Sequence, residues 1–338
     1  MLTGHGNDRY AFGGKIRYDF SSNIPWINHS GEIISYLKEH PEVVQNYPDP
    51  LASELTEKIA SRLGLPGSRV LVTSGSAEAF YLLAHCFERR RSAVAVPAFA
   101  EYEDAARAYR HRLSFTPFDL VEDAPKADLL WFAYPNNPDG RLLPLPVLKS
   151  LLARNPRRTV IIDNAYGELC PKAEDLLPLV KEVPNLVLVR SLTKTFGIPG
   201  LRLGFVLIPE KLAPELRKLR IPWSVNALAL EAGSFILDHY DALLPDEVAL
   251  ARESKALQTD LATLPDLEVT PSPTNYFLVR MRRGTAAELK AFLIETRGIL
   301  IRDASNFRSL TPGHFRLSVQ SPEANQALIE GLKDYFSR

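Results

Sequence analysis

Short apolar runs alternate with amphipathic segments along the chain, and this pattern predicts its secondary structure. Runs of branched and aromatic residues are typical of buried strands, whereas apolar residues spaced three and four apart are typical of helices. The predicted strands are Val70–Thr73, Ala93–Val96, Leu113–Phe115, Leu129–Ala133, Val160–Asp163, Leu186–Val189, Leu267–Val269, Tyr276–Val279, Ile299–Ile301 and Phe315–Val319. The predicted helices are Glu32–Glu39, Ser53–Leu63, Ala77–Cys86, Tyr102–Tyr109, Pro146–Ala153, Pro209–Leu219, a stretch from Asn226 to about Leu264 interrupted near Pro245, Ala286–Arg297 and Ala324–Phe336.

The order of these elements predicts an α/β fold built on a large, mainly parallel sheet. Short strands that alternate with helices form parallel sheets covered by helices on both faces. Residues 1–47 are irregular and predict an N-terminal arm that packs against a smaller domain or a second copy of the chain. Residues 48–221 predict the large domain, and residues 222–338 predict a smaller α+β domain. Ligands of such sheets bind beyond the carboxyl ends of the strands.

The composition narrows the classes of function. A chain of 338 residues, 46% of them hydrophobic, can bury a large core. Lys and Arg together number 40, as do Asp and Glu, and this balance indicates no nucleic-acid partner. No apolar stretch reaches the roughly 20 residues of a membrane span, and the polar N-terminus lacks a signal-peptide core. We therefore expect a cytoplasmic protein; its two cysteines fit a reducing compartment, and no Cys/His spacing indicates a metal.

The first candidate site is the segment Ser191–Phe205, which reads SLTKTFGIPGLRLGF and follows a predicted strand. Its glycines and proline indicate a loop rather than a helix. A buried lysine beside another cation loses proton affinity, so Lys194 can serve as a Schiff-base former. Ser191 and Arg202 can hold a phosphate dianion. Taken alone, so short a motif also fits an ordinary surface loop.

A second candidate site lies at the start of the helix predicted after Val70–Thr73. The chain there reads TSGSAEAF, and free backbone N–H groups at a helix start attract anions. Ser76 can bind a phosphate in this position. The alternative is that Ser76 only caps the helix.

Together, these segments resemble pyridoxal-phosphate enzymes of the aspartate-aminotransferase fold. Within that group the chain is similar to histidinol-phosphate aminotransferases and, more closely, to threonine-phosphate decarboxylases of cobalamin synthesis. The similarity extends from His5 to about Val319. It implies fold type I and a pyridoxal 5'-phosphate cofactor bound to Lys194.

The resemblance implies a role for each matching residue around the cofactor. Asp163 in VIIDNAYG would pair with the pyridinium nitrogen, which suits a carboxylate that ends an apolar strand. Tyr166 and Asn137 would contact the phenolate oxygen, and Phe99 in VPAFAEY would stack on the ring. The residues implied around the cofactor phosphate are Gly75, Ser76, Ala77, Ser191, Thr193 and Arg202. Without the resemblance, Asp163 could simply cap a turn, Asn137 could belong to an ordinary Asn/Pro/Gly turn and Phe99 could be core.

The substrate residues are implied in the same way. His5, Gly6 and Asn23 of the arm, with Asn137, Arg302 and Arg316, match positions that contact the phosphorylated substrate in the decarboxylases. Arg316 would bind a carboxylate and Arg302 a phosphate. Tyr47 matches a tyrosine that reaches into the neighbouring subunit, which implies a homodimer with shared active sites.

The chain departs from the family pattern at three places. Asp139 stands where N-N-P-T-G motifs carry threonine, Ala77 stands where a polar residue is frequent, and Asn23–Trp26 is shorter than the usual N-x-N-P. The change at Asp139 is tolerable, because the amide of Asn137 and not that hydroxyl would contact the ring, whereas the side chain of Ala77 would contribute no contact.

Three functions are compatible with these motifs. The first is decarboxylation of O-phospho-L-threonine to (R)-1-aminopropan-2-yl phosphate, a precursor of the cobalamin side chain. The second is transamination of the histidinol-phosphate type with 2-oxoglutarate or glutamate, in which Lys194 acts as base at the Cα–H bond. The third is a non-catalytic regulator that binds the cofactor; the lack of a basic helix-turn-helix segment counts against it.

Overall fold

The computed structural model describes residues 8–338, so His5 and Gly6 lie outside the described residues. Its strands are β1 (Tyr18–Asp19), β2 (Val70–Thr73), β3 (Arg91–Val96), β4 (Arg112–Pro117), β5 (Leu129–Ala133), β6 (Thr159–Asp163), β7 (Leu186–Ser191), β8 (Gly204–Leu207), β9 (Leu267–Val269), β10 (Tyr276–Met281), β11 (Ile299–Leu300), β12 (Arg302–Asp303) and β13 (His314–Ser318). Its helices are α1 (Ser30–Glu39), α2 (Ser53–Leu63), α3 (Gly75–Cys86), α4 (Glu101–Ala108), α5 (Leu145–Arg154), α6 (Leu177–Glu182), α7 (Leu192–Thr195), α8 (Ala213–Leu219), α9 (Ala227–Asp238), α10 (Tyr240–Leu243), α11 (Glu247–Ala262), α12 (Ala286–Arg297) and α13 (Pro322–Phe336).

A seven-stranded sheet forms the centre of the large α/β unit, in the order β2-β8-β7-β6-β5-β3-β4. Strands β3 to β7 pair in parallel, whereas β8 runs antiparallel to both β2 and β7. Successive residues of each strand face opposite layers: Leu130 and Phe132 of β5 join one buried cluster, and Leu129 and Trp131 join the other. The predicted α/β fold, with helices on both faces of a mainly parallel sheet, is confirmed.

A second, four-stranded antiparallel sheet has the order β12-β13-β10-β9. Its apolar face packs on α11, α12 and α13 around Phe277, Leu289 and Phe315. The two-residue strand β1 pairs in parallel with β11, which ties the N-terminal segment to this unit. Helix α9 instead packs in the first core through Ala229 and Ile236. The predicted division of the chain after residues 47 and 221 stays a prediction.

Capping residues explain why the observed ends of helix α12 match the predicted ones. Helix α12 spans the predicted residues because Thr285 and Glu288 form a reciprocal capping box at its start, with hydrogen bonds of 3.2 and 3.0 Å. Gly298 ends it with a φ of +64°. In the part of the chain that the structure describes, no helix is long and apolar enough to span a bilayer.

The local structure differs from the prediction at three places. The segment Ser191–Phe205 is not simply a loop: it contains the one-turn helix α7 and the start of strand β8. Helix α6 has no counterpart in the prediction. The strand predicted at Ile299–Ile301 is present as β11 but ends at Leu300, and the strand β12 that follows it in a different sheet was not predicted. Such two-residue strands are defined by their partners and leave no periodic signal in the sequence.

Candidate active site

The carboxyl ends of three parallel strands bring the first predicted residues together. Ala133, Asp163 and Val189 are register partners across β5, β6 and β7. Asn137 and Lys194 follow within five residues of two of these strand positions, so both lie at the same edge of the sheet. A cavity of about 630 Å³ opens there. The predicted residues that line it are Asn23, Ser76, Ala77, Phe99, Asn137, Asp163, Tyr166, Ser191, Thr193, Lys194, Arg202, Arg302 and Arg316.

An anion cradle forms where β2, β8 and β7 run side by side. Gly204 is the register partner of both Thr73 and Ser191, so the start of α3 lies next to the lysine segment. Gly75 has a φ of +74°, and a Cβ on it would lie 2.5 Å from Nη2 of Arg202. The positive φ favours glycine at this position, and the absence of a Cβ leaves room for the guanidinium beside the helix start. The cradle thus combines backbone N–H groups, the hydroxyl of Ser191 and one cation, which fits a phosphate.

Lys194 lies on α7 and is half-buried at the wall of the cavity. Burial, together with the positive charges of Arg316 and Arg202, lowers the pKa of Lys194 from 10.5 to about 8. About a tenth of the Lys194 amine is therefore unprotonated at pH 7, and this free amine is the nucleophilic form. Beside it, the hydroxyls of Ser191 and Thr193 are 2.9 Å apart.

The Lys194 amine of the cofactor-free protein is expected to react with acetic anhydride with a half-maximal rate near pH 8, since its pKa is about 8. Ordinary lysines titrate near pH 10.4. Because the folded-state pKa lies below the unfolded one, the unfolded chain binds more protons between these values. The free energy of unfolding should therefore rise with pH in this window. Competitive labelling followed by mass spectrometry checks the pKa; titration near pH 10 would contradict it.

Asp163 is a buried carboxylate, 6% exposed, at the end of β6. Its Oδ2 accepts a hydrogen bond from the Tyr102 hydroxyl at 2.6 Å, and its Oδ1 accepts one from the backbone N–H of Ala165 at 3.1 Å. Burial raises the pKa of Asp163 to about 6 despite these bonds. A cation at this position would favour the charged form, so the carboxylate fits the protonated nitrogen of a pyridine ring.

Tyr102 is the residue that the sequence reasoning missed, because its place on α4 favoured plain core packing. Its ring is fully buried and stacks edge-on against Phe80 and Phe99. The hydrogen bond from its hydroxyl orients the carboxylate of Asp163. In the sequence, the only indication of this role was that Tyr102 follows Phe99 by three residues, shortly after the end of a strand.

Tyr166 lies close to Arg316 and to Asn23 of the arm. Burial raises the pKa of Tyr166 to about 12, so its hydroxyl remains a hydrogen-bond donor. Its ring packs against that of Tyr276, whose hydroxyl donates to the carbonyl of Asn136 at 2.9 Å. Asn23 approaches Tyr166, yet its amide nitrogen and oxygen are buried without a hydrogen-bond partner among the described residues. An unpaired buried amide at a cavity wall is suited to a polar ligand.

Arg302 and Arg316 are direct cross-strand partners on β12 and β13, so their side chains share one face. Nη1 of Arg316 donates to Oδ1 of Asn137 at 2.6 Å and Nη2 donates to the carbonyl of Ser21 at 2.6 Å, while Nε is buried and unpaired. Arg302 donates to the Asp303 carbonyl and, at 2.8 Å, to Oδ1 of Asn306. Burial and the charge of Arg316 lower the pKa of Arg302 to about 10.

Neither arginine forms an ion pair with any acid between residues 8 and 338. Two like charges directly opposite each other, 9% and 5% exposed, are destabilising unless an anion joins them. The cavity therefore has two adjacent sites for anionic groups.

The departure at Asp139 has a structural explanation. Asp139 is 2% exposed and accepts a hydrogen bond from Asn136 Nδ2 at 2.9 Å. It also forms an ion pair with Arg141 at 2.7 Å. The carboxylate thus fixes the turn that presents Asn137.

Tyr47 does not line the cavity of its own chain. It is 87% exposed, and its ring lies 5.6 Å from that of Trp223. Its predicted contact was to a neighbouring subunit and stays a prediction, as do the contacts of His5 and Gly6, which lie outside the described residues.

Residues 19–332 match the family of class I and II aminotransferases. The chain belongs to this family. Its cofactor is pyridoxal 5'-phosphate, and the predicted type I fold is confirmed. The residues found here fit the cofactor: a phosphate cradle at Gly75–Ala77, an amine at Lys194 and a buried carboxylate at Asp163.

Both families named by the sequence resemblance occur among the relatives of this aminotransferase-family chain. Threonine-phosphate decarboxylase of Salmonella typhimurium is 30% identical over 333 residues, which cover 94% of this chain and 91% of that protein. Histidinol-phosphate aminotransferase of Symbiobacterium thermophilum is 35% identical over 303 residues, which cover 86% of this chain and 82% of that protein. The structure of L-threonine-O-3-phosphate decarboxylase from Porphyromonas gingivalis superposes with a TM-score of 0.92 at 36% identity, covering 95% of this chain and all of that one.

Proposed function

We propose that the protein decarboxylates O-phospho-L-threonine to (R)-1-aminopropan-2-yl phosphate and carbon dioxide. The observation that carries this proposal is the pair of buried, cross-strand arginines in the same cavity as Lys194. Phosphothreonine bears a carboxylate and a phosphate on one small molecule, and each needs a cation of its own. The similarity to threonine-phosphate decarboxylases along nearly the whole chain supports the same substrate.

Each residue of the cavity has a task in this proposal. Pyridoxal phosphate, when bound, supplies a ring that accepts the electron pair left at Cα when the carboxylate departs. Asp163 keeps the ring nitrogen protonated, and Ser76, Ser191 and Arg202 hold the cofactor phosphate. The unpaired Nε of Arg316 binds the substrate carboxylate and orients its bond to Cα. Lys194 returns a proton from Nζ to Cα.

The second candidate, a histidinol-phosphate type aminotransferase, is supported by the 35% identical relative of that name. The same cofactor residues serve both reactions, and they differ in which bond at Cα is broken. Incubation with O-phospho-L-threonine alone, and separately with histidinol phosphate plus 2-oxoglutarate, distinguishes them. We expect carbon dioxide in the first reaction without any oxo acid; product in the second reaction alone would refute decarboxylation.

Arg302→Ala is expected to reduce kcat/KM for phosphothreonine by about 10- to 100-fold more than for threonine. A hydrogen bond to a charged group contributes about 1.5–3 kcal/mol, and only phosphothreonine offers the phosphate. Arg316→Ala should instead weaken both substrates alike, because both carry the α-carboxylate. Steady-state kinetics with the two substrates check this difference.

Arg282→Ala is the matched control, since Arg282 is an exposed arginine just after β10 that pairs with Glu268 at 3.6 Å. It should leave both kcat/KM values unchanged. Equal losses on phosphothreonine and threonine in Arg302→Ala would refute the assignment of Arg302 to the phosphate.

We also propose that the active enzyme is a homodimer in which Tyr47 reaches the cofactor phosphate of the partner subunit. Tyr47, Leu51, Ile221 and Trp223 are large, mainly apolar side chains that are between 51% and 87% exposed on the described surface. Exposed apolar side chains of this size are typical of subunit contacts. Sedimentation as an active monomer would contradict the proposal.

A further inference from the structure

Glu168 connects the segments that carry the candidate catalytic groups, although it does not line the main cavity. It lies on the short 3₁₀ turn Gly167–Leu169, directly after Asp163 and Tyr166. Its Oε2 accepts a hydrogen bond from Oγ1 of Thr195 at 3.0 Å. Its Oε1 forms an ion pair with Arg190 at 2.6 Å and accepts a hydrogen bond from the Tyr240 hydroxyl.

The hydrogen bond from Thr195 places Glu168 next to the lysine in the chain, because Thr195 directly follows Lys194. Thr195 follows Lys194 on α7, is 1% exposed and, unlike Thr193 and Lys194, does not line the cavity. A helix of one turn is marginal by itself and depends on tertiary contacts. The Glu168–Thr195 bond supplies such a contact beside Lys194, and Arg190, on β7, holds the same carboxylate from the strand that leads into the turn.

We propose that Glu168 is a positioning residue that fixes the Lys194 turn relative to the Asp163–Tyr166 segment. This inference rests on the proposed roles of Lys194 and Asp163. Those two groups act on opposite ends of one rigid ring, so their separation must match the ring. A misplacement of about 1 Å can reduce a rate about 100-fold. Glu168 itself touches neither cofactor nor substrate in this arrangement.

The contacts of Glu168 allow matched variants. Thr195→Val removes the one hydroxyl that links the carboxylate to the lysine turn, and Thr195→Ser retains it. Tyr240→Phe removes a different hydrogen bond to the same carboxylate, yet keeps the ring that packs against Phe196 and Arg62. Glu168→Gln keeps the size of the side chain and removes its charge.

Three measurements on the full-length protein test the role. These are the rate at which cofactor-free protein takes up pyridoxal phosphate as a lysine-linked chromophore, the apparent pKa of that chromophore, and kcat and KM for O-phospho-L-threonine. We expect Thr195→Val and Glu168→Gln to lower kcat about 10- to 100-fold with KM changed less than about threefold. Both should shift the chromophore pKa and slow cofactor uptake. Thr195→Ser and Tyr240→Phe should stay within about threefold of wild type.

The double variant Glu168→Ala/Thr195→Val should be no worse than Glu168→Ala alone, because Glu168→Ala already removes the acceptor of the Thr195 hydrogen bond. Equal losses in Tyr240→Phe and Thr195→Val, at equal melting temperatures, would overturn the proposal and make the carboxylate a general structural contact. Unchanged cofactor uptake and chromophore pKa in Thr195→Val would overturn it as well. A lysine-linked chromophore that persists in Lys194→Ala would instead refute the proposed site, so the two failures are distinguishable.

Discussion

Replacement of Lys194 by alanine is expected to abolish the covalent attachment of pyridoxal phosphate and to remove catalysis. The amine of Lys194 has its pKa lowered to about 8 and lies in the same cavity as the anion cradle and Asp163. Among the described residues that line this cavity, Lys194 is the only lysine, so no other lysine is placed to form the linkage. Purified Lys194→Ala should therefore be colourless, and borohydride reduction followed by peptide mapping should find no modified lysine.

Lys126→Ala is the control for this prediction, because Lys126 is an exposed lysine that does not line the cavity. It should be as yellow and as active as the wild type. A wild-type protein that stays colourless after addition of pyridoxal phosphate, or a Lys194→Ala protein that retains the linkage, would show that the lysine is misassigned.

Replacement of Asp163 by asparagine has the second largest expected effect. The amide can still accept the hydrogen bond from Tyr102, so the packing around it is kept, but the charge opposite the ring nitrogen is lost. Loss of one such electrostatic contact typically lowers kcat about 10²- to 10³-fold, or about 2.7–4 kcal/mol. Single-turnover kinetics with phosphothreonine measure this step; near-normal turnover would refute the pairing.

The pH dependence of cofactor affinity gives a second test of Asp163. The pKa of this carboxyl is raised to about 6 in the cofactor-free protein, so the carboxylate is present above that pH and lost below it. Pairing with a ring cation requires the charged form, so wild-type affinity should fall as pH drops below about 6. Asp163→Asn should lack this dependence. Fluorescence titration between pH 5 and 8 compares the two proteins, at pH values about one to two units either side of that pKa.

Sequence periodicity predicted the central sheet because its strands are continuous apolar runs that end in polar residues. Strand β6 is an example, because its apolar residues are followed by the charged Asp163. Since neighbouring parallel strands end at the same edge of the sheet, this pattern placed Asp163 at that edge. The same argument placed Lys194 at this edge, whereas Asn137 was assigned from the family resemblance. It could not locate α7, since a one-turn helix between a strand and glycine leaves no period to detect.

Long-range register was beyond the sequence. The fourteen positions between Arg302 and Arg316 (316 − 302) gave no indication that the two are direct partners on antiparallel strands. Their pairing depends on the loop between β12 and β13, whose length alone does not fix the register. Tyr102 was missed for a related reason, because its bond to Asp163 joins α4 to a strand sixty-one positions away. Glu168 likewise acquires its role only from partners at Arg190, Thr195 and Tyr240.

The most direct test of the proposed reaction follows [1-¹³C]O-phospho-L-threonine by ¹³C NMR with purified, pyridoxal-phosphate-loaded protein and no oxo acid. The account predicts that the carboxylate signal disappears and that labelled carbon dioxide and bicarbonate together replace it in an amount equal to the substrate consumed. The ³¹P spectrum should show one equivalent of 1-aminopropan-2-yl phosphate. Lys194→Ala should leave the substrate unchanged. A carboxylate signal that persists until 2-oxoglutarate is added, and then moves to an oxo-acid position, would contradict decarboxylation and establish transamination.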